Sequence, residues 1–234
     1  MALTQAVILV GGLGTRLKAV VSDVPKPMAP INNAPFLEYQ INYIKSQGIK
    51  EIILATHYMH EKIENYFKDG AKLGVKIKYS REPELLGTGG ALKLAQKFIN
   101  GKFLLANGDT YFNCELNTIE TCHEKSKAIG TIALASVSDT ERFGLAITDS
   151  NNNIVKFVEK GQPIPGENKI NTGIVMLSPE IFDYIPEGKV SLEKNIYPKL
   201  IAEGKLFGVA MPGRFIDIGL PESYEEFKQL AKTL

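Results

Sequence analysis

Cations and glycines cluster directly after the first apolar run of the chain, in the sequence AVILVGGLGTRLKAVVSDVPKPM. Glycines let the backbone turn tightly and bring bare N–H groups within reach of an anion. Arg16 offers a planar fork that matches phosphate oxygens, and Lys26 adds a compact charge. Its neighbours Pro25 and Pro27 have a fixed φ, so we expect the lysine to lie in a stiff, extended segment. The spacing predicts a phosphate site formed by the glycines, Thr15, Arg16 and Lys26.

Two well-known phosphate loops do not fit this spacing. A dinucleotide-binding G-x-G-x-x-G motif needs a third glycine where Leu17 stands. A Walker loop needs Gly-Lys followed by Ser or Thr, and the Gly-Lys pairs that begin at residues 101, 188 and 204 continue with other residues. The sequence therefore disfavours both a dehydrogenase and a P-loop NTPase.

Two aspartates also follow apolar runs, Asp109 in LLANGDT and Asp217 in RFIDIG. An aspartate at the end of a strand can simply cap a turn, and either residue alone is open to that interpretation. Together they fit Mg²⁺, which usually takes one or two protein carboxylates along with substrate phosphates and water. We therefore expect a magnesium site beside the phosphate loop.

A glycine-rich segment, LLGTGGALKLA, opens a helix at residues 85–95. It is either an entry turn that needs Gly and Thr, or a flat backbone surface against which a base or sugar lies at residues 87–90. Glu82, just before it, has a carboxylate suited to the two adjacent donors of guanine, N1–H and the 2-amino group. An exposed loop glutamate is the alternative interpretation.

Polar residues of the second half carry donors suited to a sugar phosphate and its hydroxyls. These are Lys160 in FVEK, and Asn171, Thr172 and Gly173 in INTG. A lone lysine is usually solvated surface charge, so Lys160 is of interest because of the other motifs. Residues 142–144 form either a wall of the same pocket or a plain turn.

Composition narrows the partners. The net charge of +1 over 234 residues gives no general attraction to nucleic acid or to an anionic membrane, so small molecules are the expected partners. Cys114 and Cys122 have neither a zinc spacing nor the density of a secreted disulfide scaffold, which favours a cytoplasmic protein. The N-terminal MALTQAVILV lacks a basic flank and no later apolar run approaches twenty residues, so we expect neither a signal peptide nor a membrane span.

The elements that must position these residues follow an α/β pattern. Apolar strands at 6–10, 52–56, 75–79, 103–106 and 131–136 alternate with helices at 35–47, 61–68, 89–98 and 116–125. The second half predicts mixed or antiparallel strands at 145–148, 154–159 and 170–177, a helix at 191–202, a strand at 207–211 and a helix at 221–230. In such a sheet, ligands bind outside the carboxyl ends of the strands, where the polar motifs lie.

The motifs GGLGTRL, PKPM, LGTGGAL, NGDT, FVEK, NTG and DIGLPESY occur in the order typical of sugar-1-phosphate nucleotidyltransferases, and the chain resembles that family from Ala6 to Tyr224. Its first motif is most similar to that of the D-glycero-D-manno-heptose 1-phosphate guanylyltransferases. Hexose and N-acetylmuramate 1-phosphate uridylyltransferases come next. The resemblance implies a single Rossmann-like three-layer domain over 1–234 with a mixed, mostly parallel sheet. Its nucleotide half spans about 1–140 and its sugar half about 141–234.

The resemblance also implies an activity: transfer of a nucleoside monophosphate from a triphosphate, GTP in the closest case, to a sugar 1-phosphate, with Mg²⁺ as cofactor. The product would feed bacterial surface polysaccharide biosynthesis, and a homodimer is compatible with it. Uridylyl or thymidylyl transfer, and an inactive nucleotide-sugar binding module, stay open as alternatives. The implied nucleotide-binding residues are Val10, Gly11, Gly12, Gly14, Thr15, Arg16, Lys26, Glu82, Gly87, Thr88 and Gly108. The implied sugar-binding residues are Gly89, Gly144, Glu159, Lys160, Asn171, Thr172 and Gly173, with Asp109 and Asp217 for the metal and Arg16, Lys26, Asp109 and Lys160 for catalysis.

Overall fold

The structure is a computed structural model that describes residues 3–14, 23–158, 160–162 and 164–234. The first half contains β1 (Gln5–Leu9), β2 (Pro30–Ile31), β3 (Ala34–Pro35), α1 (Phe36–Ser46), β4 (Glu51–Thr56), α2 (His60–Phe67), β5 (Lys76–Arg81), α3 (Gly87–Ala95), β6 (Phe103–Asn107), β7 (Thr110–Phe112), α4 (Leu116–Ser126) and β8 (Gly130–Ser136). The second half contains β9 (Leu145–Thr148), β10 (Ile154–Val158), β11 (Lys169–Leu177), α5 (Tyr197–Ala202), β12 (Leu206–Ala210), β13 (Phe215–Asp217) and α6 (Pro221–Leu230). Short 3₁₀ turns lie at Lys26–Met28, Ala71–Leu73, Gln96–Phe98 and Pro179–Asp183, and a π turn at Leu192–Ile196 leads into α5. The extended segment predicted around Lys26 is therefore wrong, because the N–H of Met28 donates to the carbonyl of Pro25 at 2.7 Å and closes a turn.

In these ranges, nine strands form one mixed sheet. Its strands run in the order β12-β8-β11-β6-β1-β4-β5, and β9 and β10 attach beside the start of β11. The pairs β6–β1, β1–β4, β4–β5 and β12–β8 are parallel, whereas β11 runs antiparallel to β6 and β8. The predicted fold class is confirmed.

Alternation along the central strands produces the three layers. In β1, Val7 packs into the core beneath α3 and α5, and Ile8 packs into the core beneath α1 and α2. Successive side chains of a strand point to opposite faces, so a sheet covered on both faces needs a continuous apolar run such as AVIL. Within the described part of the chain, no helix is long and apolar enough to cross a membrane.

A third core joins the C-terminal helix to the segment that follows Lys26. Phe227 of α6 packs edge-on against Phe36 of α1, with ring centroids 4.7 Å apart, and also contacts Tyr111 of β7. The hydroxyl of Tyr224 donates to the backbone carbonyl of Pro30. Burying a phenylalanine side chain contributes about 1.5–3 kcal/mol. Helix α6 therefore packs against a segment that lies nearly 200 positions earlier in the sequence and holds it in place.

Local departures from the sequence predictions have identifiable causes. The predicted helix at 191–202 is a π turn followed by α5, in which Pro198 lies in the first turn, where its missing N–H needs no partner. The predicted strand at 170–177 contains a bulge, because its register with β8 shifts between Asn171 and Val175. Gly173 lies in this bulge with φ +76°, a conformation that favours glycine.

Candidate active site

The carboxyl ends of β1 and β6 border a cavity of about 450 Å³. The loop 10–14 follows β1, residues 108–109 follow β6, and the N–H of Gly108 donates to the carbonyl of Leu9 at 2.9 Å. A methyl group on Gly108 would lie 2.5 Å from the Val10 side chain, so only glycine permits this approach. The cavity is lined by Leu9, Val10, Gly11, Gly12, Gly14, Lys26, Pro27, Glu82, Leu85, Gly87, Thr88, Ala91, Asn107, Gly108, Asp109 and Lys160. The predicted residues Thr15, Arg16 and Glu159 lie outside the described residues.

An ionic centre lies at one wall of this cavity. The ammonium nitrogen of Lys26 is 2.7 Å from Oδ2 of Asp109 and 3.4 Å from Oδ1 of Asp217. The lysine and Asp217 side chains are only 8% and 11% exposed, and that of Asp109 is 36% exposed. The structure thus brings together three of the residues that the sequence singled out, from three distant segments.

Two short strands place the aspartates side by side. β7 and β13 pair antiparallel with Thr110 opposite Asp217, and the N–H of Ile218 donates to the carbonyl of Asp109 at 3.0 Å. Gln40 of α1 donates from Nε2 to the carbonyls of Asn107 and Thr110, at 2.7 and 2.9 Å, which fixes the loop carrying Asp109. The carboxylate positions are therefore set by backbone pairing and by a buried amide.

The turn after β13 holds Asp217. The N–H of Gly219 donates to its Oδ1, and the hydroxyl of Ser223 donates to its backbone carbonyl. Arg142 lies near the same Oδ1, with its Nη2 3.8 Å away. A backbone N–H and two cations therefore face this carboxylate oxygen.

Two carboxylates that share one cation fit a hard divalent ion, which prefers carboxylate oxygens. Among the described residues, no group of three or more His, Cys, Asp and Glu side chains is arranged to hold a metal. Two carboxylates are fewer ligands than such an ion takes, so a metal ion held by Asp109 and Asp217 would need further oxygens from water or a bound phosphate.

Glu82 occupies the end of the cavity beside Gly11. Its Oε2 accepts the N–H of Leu86 at 3.0 Å, and its carbonyl is 2.9 Å from Nδ1 of His57. A methyl group on Gly11 would lie 2.6 Å from its Oε1, so glycine leaves room for the carboxylate. Burial raises the pKa of Glu82, and the bond from Leu86 partly opposes that rise. Glu82 is buried, unlike the exposed loop glutamate that the sequence left open.

The glycine-rich helix start has two different sides. Gly87 and Thr88 line the cavity, whereas the N–H groups of Gly89 and Gly90 both donate to the carbonyl of Val190, at 2.9 and 3.3 Å. The Thr88 hydroxyl donates to Glu193 at 2.8 Å and accepts the N–H of Leu192. The first turn of α3 is thus capped by residues about a hundred positions away, and its cavity-facing surface is limited to Gly87 and Thr88.

Asn107 is a lining residue that the sequence reasoning missed, and it contacts the predicted sugar-binding segment at Gly173. Gly173 packs directly on the Asn107 side chain, leaving no room for a Cβ. Thr172 is fully buried, donating to the carbonyl of Ala133 at 2.8 Å, and Asn171 accepts the N–H of Gly173. Gly144 packs against Phe157 and Val158. Of this predicted set, the cavity-lining residue in the described part of the chain is Lys160.

Comparisons with known proteins agree with this geometry. Residues 5–233 match the family described as nucleotidyl transferase. The chain is 44% identical to D-glycero-alpha-D-manno-heptose 1-phosphate guanylyltransferase of Campylobacter jejuni, over 95% of this chain and 98% of that protein. It is 42% identical to the protein of the same name from Aneurinibacillus thermoaerophilus, over 95% of this chain and 96% of that protein. The crystal structure of HddC from Yersinia pseudotuberculosis complexed with GMP-PN superposes with a TM-score of 0.84 at 36% identity, over 97% of this chain and 99% of that one. The resemblance seen in the motifs is thereby confirmed: the chain belongs to the nucleotidyl transferase family.

Proposed function

We propose that this protein transfers GMP from GTP to D-glycero-α-D-manno-heptose 1-phosphate and releases pyrophosphate. The observation that carries the proposal is the centre formed by Lys26, Asp109 and Asp217 at the wall of a glycine-lined cavity. Two relatives that match almost end to end bear the name of this activity, which supports the choice of base and sugar.

The reaction needs charge neutralisation more than proton transfer. An oxygen of the sugar 1-phosphate attacks the α-phosphorus of the triphosphate, and the bond from that phosphorus to the α–β bridging oxygen breaks. That oxygen leaves as a terminal oxygen of pyrophosphate. The attacking group is already an anion at neutral pH, since the second pKa of a phosphate monoester is about 6. Its approach to a polyanion is opposed by repulsion, which Lys26 and Lys160 at the cavity wall would reduce. We assign Arg16 the same task.

Members of this family generally use a divalent metal ion. Asp109 and Asp217 would hold it here, with Mg²⁺ as the proposed ion, and when bound it would neutralise and orient the phosphate oxygens. Lys26, which bridges both carboxylates, would then be released to bind a phosphate oxygen. In this proposal, Lys26 and the metal ion use the same two carboxylates at different stages.

Guanine recognition is assigned to Glu82. Its carboxylate lies at the cavity edge beside Gly11, and Leu86 occupies only one of its oxygens. Guanine offers two adjacent donors to such an acceptor, whereas uracil and thymine offer one. Two charge-assisted hydrogen bonds from one base edge would distinguish GTP from UTP and dTTP.

The test is a matrix of GTP, ATP, UTP, CTP and dTTP against the 1-phosphates of heptose, mannose, glucose and N-acetylmuramic acid, scored by pyrophosphate release. We expect the cell of GTP with the heptose phosphate to dominate and Asp109→Asn to abolish it. Dominance of UTP or dTTP with a hexose or N-acetylmuramate phosphate would contradict the proposed substrates. Nucleotide binding without release in any cell would instead identify an inactive binding module.

A further inference from the structure

Arg142 carries two buried donors that have no hydrogen-bond acceptor among the described residues. It lies in the turn between β8 and β9, closed by the bond from the N–H of Phe143 to the carbonyl of Thr140 at 3.1 Å. Its guanidinium carbon lies 5.3 Å from the ring centre of Phe143. Nε and Nη2 are both shielded from solvent and make no hydrogen bond to any residue that the structure describes. Buried polar groups are nearly always paired, so this exception calls for an explanation.

The two nitrogens define the kind of acceptor. Nε and Nη2 lie on one edge of the planar guanidinium, the edge that binds a carboxylate or phosphate through two parallel hydrogen bonds. Asp217 does not fill this position, because its Oδ1 is 3.8 Å from Nη2, beyond hydrogen-bond length. That oxygen already accepts the N–H of Gly219 and faces Lys26. An oxyanion with two oxygens is the acceptor that this edge lacks.

The neighbouring chain segments indicate which anion this is. The carbonyl of Glu141 accepts the N–H of Gly161 at 2.8 Å, which ties the turn of Arg142 to the segment that carries Lys160. This segment and Asp217 belong to the second half, whereas the glycine loop assigned to the triphosphate follows β1. We propose that Arg142 is a catalytic residue that binds the phosphate of the sugar 1-phosphate through Nε and Nη2. This inference rests on the proposed function.

This assignment gives Arg142 two separable effects. Its paired donors orient the attacking phosphate, and its charge lowers the repulsion between that phosphate and the triphosphate. Lysine at this position keeps the charge near Asp217 but cannot make two parallel bonds. Arg142→Lys therefore separates a phosphate clamp from a simple charge partner of Asp217.

The experiment measures initial rates for wild type and Arg142→Lys, varying the sugar 1-phosphate at saturating GTP and then GTP at saturating sugar 1-phosphate. We expect KM for the sugar 1-phosphate to rise by about tenfold or more in the variant, with KM for GTP within about twofold of wild type. Arg214→Lys is the matched control, because Arg214 is 52% exposed and pairs with Glu226. It should leave both constants unchanged.

Two results would overturn the assignment. Wild-type constants in Arg142→Lys would make Arg142 only a charge partner of Asp217, and a rise confined to KM for GTP would assign its edge to the triphosphate. A wild-type protein that releases no pyrophosphate from GTP and the heptose phosphate would refute the proposed substrates instead. Calorimetric binding of mannose 1-phosphate then decides the Arg142 assignment: weaker binding by Arg142→Lys supports it, and equal or undetectable binding by both proteins refutes it.

Discussion

Replacing Lys26 with Met removes the cation between Asp109 and Asp217. Breaking a buried ion pair costs about 3–5 kcal/mol, while an exposed pair is worth about 0–1 kcal/mol. The Lys26–Asp217 pair is of the first kind, with side chains 8% and 11% exposed, but Asp109 is 36% exposed and water will screen it. We therefore expect Lys26→Met to lower the free energy of unfolding by about 2–3 kcal/mol.

Mg²⁺ should restore part of that loss. Two carboxylates without their lysine form a stronger cation site, so Mg²⁺ should stabilise the variant more than wild type through binding to the folded state. For a chain of this length, about 2–3 kcal/mol corresponds to roughly 4–12 °C in Tm. Turnover should fall by about a hundredfold or more, since a phosphate-binding cation is lost.

The assay is thermal unfolding of wild type, Lys26→Met, Asp217→Asn and the double variant, each with MgCl₂ and with NaCl of equal ionic strength. The cycle isolates the coupling between Lys26 and Asp217, which we expect to be about 2 kcal/mol. Equal Mg²⁺ stabilisation of wild type and Lys26→Met would refute the idea that the lysine occupies a shared cation site. An unchanged Tm in Lys26→Met without Mg²⁺ would refute the energetic estimate.

Three further results are expected. Glu82→Gln should raise KM for GTP by about tenfold and reduce the preference for GTP over UTP, because one of the two side-chain oxygens that accept from guanine becomes an NH₂ donor. An unchanged preference for GTP in the rate matrix would show that Glu82 does not recognise the base. Gly173→Ala should lower the free energy of unfolding, measured by urea unfolding, by about 1–3 kcal/mol. The reason is that φ is +76° and the methyl group would collide with Asn107. Burial lowers the pKa of His123 below its ordinary 6.5, so the unfolded chain takes up a proton that the folded chain resists. Stability should fall as pH drops from 6.5 towards that lowered pKa, and His123→Asn should flatten this part of the urea-unfolding profile; equal slopes would contradict this linkage.

The parts of the site that follow a strand directly could be predicted from the sequence. The glycine loop and Asp109 come after the apolar runs of β1 and β6, and parallel neighbours bring their carboxyl ends together. Lys26 was identified by its charge and its two prolines. Each of these signals lies within a few neighbouring residues, so it can be recognised without knowing the fold.

Other features depend on distant pairing and left no local signal. β7 and β13 are three residues each, too short for alternation to be recognised, yet their pairing places Asp217 beside Asp109. The caps that Val190 provides to Gly89 and Gly90 come from a segment about a hundred positions away. His123 lies among polar helix residues, but its ring bonds to Thr131 and Ser178, at 2.9 and 2.8 Å, inside the core.

The third core has a consequence for how this protein acquires activity during synthesis. Lys26 and Asp217 are separated by 191 positions, and α6 packs against the segments that carry both. A nascent chain on the ribosome can form β1, β4, β5 and β6 early, since they pair in parallel through residues 5–107. It still lacks the second aspartate until β13 and α6 have emerged. Turnover therefore requires that β13 and α6 have docked, which makes catalysis a reporter of that docking step.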